Sequence, residues 1–122
     1  MTEKSHNPFK GELPVQIGDT SYNTRLNIDA CLRLEQKMGC SLLKMAQKLQ
    51  DGDLLFADMV NIMSPALRGG GHPLKDDEIK NLLYNNGYAE ALKVTSEVIA
   101  NVLSGGKNQE ELDDEKKLVT QP

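Results

Sequence analysis

Between Leu13 and Leu26 the apolar side chains fall on alternate positions. Leu13, Val15 and Ile17 are separated by Pro14 and Gln16, Gly18-Asp19 supplies a turn, and Tyr22, Thr24 and Leu26 resume the two-residue period. The pattern predicts a β-hairpin. Pro14 has no N–H for a ladder, so its strand is expected at an edge, or with Pro14 facing outward. An isolated hairpin is marginal in water, so helices or another copy must cover its apolar face.

After Leu26 the period lengthens to between three and four, and five helices are expected. The first starts under an Asn27 or Asp29 cap, carries Ile28, Cys31, Leu32, Glu35 and Met38 along one side, and closes at Gly39. Ser41 caps a second, with Leu42, Leu43, Ala46 and Leu49 as its stripe and Asp51-Gly52 as its end. Asp53 caps a third from Leu54, in which Leu55, Met59, Ile62 and Met63 recur until Ser64-Pro65. The missing proline donor predicts a kink or break near residues 61–64. Gly69-Gly70-Gly71 reads as a loop and a flexible hinge. The fourth helix is expected from Asp76 to Tyr84, with Asp76, Asp77 and Glu78 at its positive end, Ile79, Leu82 and Leu83 as its buried face, and Asn85-Asn86-Gly87 as its stop. The fifth runs from Tyr88 to Leu103, with Leu92, Thr95, Ile99 and Val102 on one side.

Residues 1–11 read as a flexible leader, and 105–122 as a disordered charged tail with few apolar side chains to offset the cost of ordering. Residues 12–104 then form one domain of the α+β class, mainly α: an N-terminal β-hairpin followed by about five short helices.

Composition narrows the function. Fourteen basic against 18 acidic residues give a net charge of −4, with the Lys and Arg scattered, so nucleic acid is a poor partner. The longest apolar runs, such as Leu54 to Ala57, are far short of the roughly 20 residues a membrane helix needs, and Met-Thr-Glu-Lys-Ser is no signal peptide, so no membrane partner and a cytoplasmic protein are expected. Cys31 and Cys40 are expected as free thiols.

No reaction suggests itself. Gly69-Gly70-Gly71-His72 lacks the Gly-Lys-Ser/Thr of a phosphate loop, and the two histidines, His6 and His72, have no second ligand at metal spacing. Asp76-Asp77 diverge by about 100° on a helix and do not face each other. Neither a catalytic residue, a metal ligand nor a cofactor site is expected. A cysteine hydrolase using Cys31 or Cys40 would require a thiolate titrating well below the ordinary value.

Hydrophobic surface remains. Met38, Met45, Met59 and Met63, interleaved with Leu42, Leu43, Leu54, Leu55 and Phe56, exceed a single narrow stripe, and Leu54-Leu55-Phe56 covers nearly every direction around its turn. Leu55, Met59, Ile62 and Met63 are therefore expected at a partner or subunit interface, with core packing as the alternative for each.

The order of features resembles the gene transfer agent tail protein family, of the phage tail assembly chaperone group. The residues that carry the resemblance are Asn7-Pro8-Phe9-Lys10-Gly11-Glu12, the hairpin, Leu34-Glu35 with Gly39, Leu67-Arg68-Gly69-Gly70-Gly71, then Ile79, Leu82, Leu83 and the helix opening at Gly87-Tyr88. It spans about Asn7 to Leu103; Pro65 departs from it by standing where relatives read as continuous helix. The resemblance implies a non-enzymatic factor in the cytoplasm of a bacterial host. It would bind the tape-measure protein, with the tail tube protein as a further partner, hold the former in solution while tube subunits polymerise, and self-associate, with hairpin edges as one route. The alternative is a structural tail tube or tail completion subunit, which is expected to need extensive β-sheet.

Overall fold

The computed structural model describes residues 12–105, in which two strands precede five helices. These are β1 (Leu13–Ile17), β2 (Thr20–Thr24), α1 (Ile28–Met38), α2 (Leu42–Gln50), α3 (Phe56–Gly69), α4 (Asp76–Asn86) and α5 (Tyr88–Leu103). The mainly helical α+β class read from the sequence is the one that folds. The expected leader and tail lie outside the described residues, apart from Gly105, which follows Ser104 at the end of α5.

The hairpin pairs antiparallel, with Val15 opposite Tyr22 and Pro14 opposite Asn23. Val15 and Ile17 point into the core. The N–H groups of Asn23 and Arg25 point away from β1: Asn23 donates to His72 Nε2 and Arg25 to the Ala66 carbonyl, both at 2.9 Å. In an antiparallel ladder the residue opposite an outward-pointing N–H also points outward, so the donor that Pro14 lacks belongs to the free edge of β1. The end of α3 thus covers the β2 edge, while proline blunts the β1 edge.

Helices α3 and α5 form the centre. The first packs against α1, α4, α5 and β2, the second against α2, α3, α4 and β1. Met59, Ile62, Met63 and Leu67 from α3 and Val94 and Ile99 from α5 are completely buried. The expected break at Pro65 does not occur: α3 is continuous from Phe56 to Gly69. Buried side chains on both sides of the proline, from Met59 through Leu67, hold the helix together across one missing hydrogen bond. The helix starts later than expected, with Leu55 rather than Asp53 as the flanking residue, because the Asp58 carboxylate accepts the Leu55 N–H at 3.3 Å.

Two stripes are rotated from their expected faces. On α1 the buried residues are Ala30, Cys31 and Leu34, leaving Ile28 and Leu32 exposed, because α3 covers only a narrow side of this helix. On α2 they are Met45 and Leu49, with Leu43 outside. Gly69 belongs to α3, so the glycine run is only partly loop, and α4 continues to Asn86. Both cysteines are free thiols, Cys31 buried and Cys40 half-buried.

Candidate functional site

Of the four residues expected at an interface, only Leu55 reaches solvent, at 70% exposure. Met59, Ile62 and Met63 are 0% exposed and pack this chain's own core, so no partner touches them while the fold is closed. Neighbours on four elements surround α3, and they cover most of its circumference. Around Leu55 the structure brings together apolar groups that periodicity did not single out. Phe56 stacks on Tyr88 with ring centroids 6.5 Å apart, and the Tyr88 hydroxyl donates to the Leu54 carbonyl at 2.8 Å. Phe56, Ala57 and Val60 then face Tyr84 across a groove of about 430 Å³ between α3 and α4. Tyr84 is 74% exposed. Gly87, at φ 93°, separates Tyr84 from Tyr88, so a helical period carried across it could not have placed the two rings.

This groove continues along α3 into a second, of about 450 Å³, between α1, α3 and α4. Its character is opposite. Arg33 and Lys37 from α1, Arg68 from α3 and Lys80 from α4 line it with a single carboxylate, that of Asp76, which pairs with Arg68. Arg33 and Lys37 form no ion pair among the described residues. The local field shows in Asp76, whose carboxyl is held below the usual carboxylate range, first by the Arg68 hydrogen bond and charge, then by Lys80 and Lys37. Ser64 also lines this groove; its residue is 6% exposed and its Oγ has no hydrogen-bond partner. A buried hydroxyl without a partner costs about 1 to 3 kcal/mol. Pro65 beside it leaves the Asn61 carbonyl, on the same groove, without the N–H that an unbroken ladder would supply.

The glycine run has a packing role rather than a hinge role. A β-carbon on Gly69 would collide with the Arg25 carbonyl, and one on Gly70 with the Asn23 carbonyl, so helix and strand backbones meet with no space between them. His72 completes the junction by accepting from Asn23 and meeting the Tyr22 ring edge-on at 5.3 Å.

For chemistry the arrangement offers little. Burial, then the charge of Glu35, raises the Cys31 thiol above its ordinary value, and its Sγ lies 3.8 Å from the Leu26 carbonyl, the reverse of what activates a nucleophile. Among the described residues no group of His, Cys, Asp and Glu is placed to hold a metal ion, and no helix is long and apolar enough to cross a membrane.

A family model described as phage tail tube protein, GTA-gp10, matches residues 10–105. No curated protein and no solved structure matches the chain.

Proposed function

Because the chain belongs to the family described as phage tail tube protein, GTA-gp10, we propose that it is a non-catalytic structural subunit of a phage-like tail tube or of its completion. The match over residues 10–105 carries this reading. It corrects the expectation of a tape-measure chaperone: the family description names the tube. That expectation leaned on the premise that a tube subunit needs extensive sheet, whereas the described residues of this member hold one hairpin and five helices.

A tail tube family implies self-association and tail partners. The segment at the end of α3 covers part of the β2 edge and Pro14 removes a donor from the β1 edge, which favours subunits joining through helical faces, with Leu55, Phe56, Tyr84 and Tyr88 as apolar contacts. Assembly takes place in the cytoplasm of a bacterial host, and the tape-measure protein is a neighbour within the finished tube. Mass spectrometry of purified tail-bearing particles from such a host tests the reading. Many copies per particle are expected, with tails lost when the gene is deleted; absence from finished particles overturns it.

A further inference from the structure

The basic groove is built for an oxyanion. Arg33 and Lys37 line it with Arg68, which pairs with Asp76, and Lys80, which pairs with Asp77, and the hydroxyl of Ser64, a further lining residue, is buried with no partner. A carboxylate seated there would accept from Ser64 and from the α1 cations together, meeting both shortfalls. The same chain carries the matching group. The turn between α2 and α3, Asp51-Gly52-Asp53, is exposed, a β-carbon on its Gly52 (φ 69°) would meet nothing within 4 Å, and neither aspartate has an ion-pair partner among the described residues. Asp53 lies ahead of the start of α3, seven positions before Val60, the first α3 residue of the groove, and no residue of the turn lines that groove.

We propose that the groove between α1, α3 and α4 binds the carboxylates of the Asp51-Gly52-Asp53 turn of a second copy, with Ser64 and Arg33 contacting the incoming oxygens. The inference rests on the tube-subunit reading and names its contact. Donor and acceptor lie on different faces of one chain, so the contact is head-to-tail and repeats into a ring or an open filament. The exposed Leu55, just beyond the acidic turn, adds apolar area to the same contact.

The test uses the full chain in sedimentation velocity over a concentration series at low and at raised salt. The parent is expected to associate reversibly and to weaken as salt rises. Arg33→Glu and Asp53→Lys, both at exposed positions, are each expected to remain monomeric, with association weakened by about tenfold or more. Mixed, they form a one-to-one complex that neither forms alone, since one keeps an intact turn and the other an intact groove. Ser64→Ala keeps every charge and is expected to weaken the parent association by about tenfold. A parent monomeric throughout, a variant that associates like the parent, a mixture that stays monomeric, or an unchanged Ser64→Ala overturns the proposal. Association unaffected by these substitutions would leave the tube reading intact, whereas absence of the protein from finished particles would remove that reading whatever sedimentation shows.

Discussion

The backbone N–H of Asn23 donates to Nε2 of His72 at 2.9 Å, joining β2 to the segment after α3 across 49 positions of sequence. The acceptor is an unprotonated ring nitrogen, so the imidazole carries its proton on Nδ1. Replacing His72 by Phe keeps a ring beside Tyr22 and removes the acceptor. The expected loss is about 1 kcal/mol in urea unfolding with an unchanged slope.

Gly70 belongs to the same junction and tolerates less. Gly70→Ala forces a methyl into the Asn23 carbonyl and should cost about 2 to 3 kcal/mol, with Gly69→Ala similar against Arg25. Gly52→Ala is the control: at φ 69° in open space it pays only for the left-handed backbone, about 1 kcal/mol.

Met59→Glu places an ionised carboxylate in a fully buried position and should unfold the chain, at about 4 kcal/mol or more. Leu55→Glu, at 70% exposure, should stay within about 0.5 kcal/mol of the parent while reducing self-association. Circular dichroism separates the two outcomes. A folded Met59→Glu protein would show that the α3 core is not closed.

Hairpin, helices and their order were readable from the chain because each is written in local periodicity and punctuation, such as Gly18-Asp19 and Gly87. Faces were less so. The interior of α3 was mistaken for an interface because a helix wrapped by four neighbours is apolar nearly all round, as an exposed sticky helix would be. Ile28 and Leu32 were assigned inward because they fit the period, yet α3 covers a different, narrow side of α1, that of Ala30, Cys31 and Leu34. The basic groove left no local signature, since its cations come from α1, α3 and α4.

Burial, with Glu35 adding, raises the Cys31 thiol above its ordinary value, so the unfolded chain ionises first. Stability from this group is therefore whole below the ordinary thiol range and falls as pH rises through it toward the raised native value. Urea midpoints measured across that range should decline, and the decline should shrink in Cys31→Ala. At neutral pH a disulfide-exchange reagent should label half-buried Cys40 well before Cys31.

The two rims of the hairpin are stoppered differently, one by the end of a helix and one by the imino acid at position 14. In the many copies that the proposed tube would require, fewer backbone donors are then left open to seed amyloid-like stacking. On the proposed tube reading, polymerisation would then rest on side chains, whose grip loosens with ionic strength and can be undone and retried, so a misplaced subunit could leave before the growing structure locks it in.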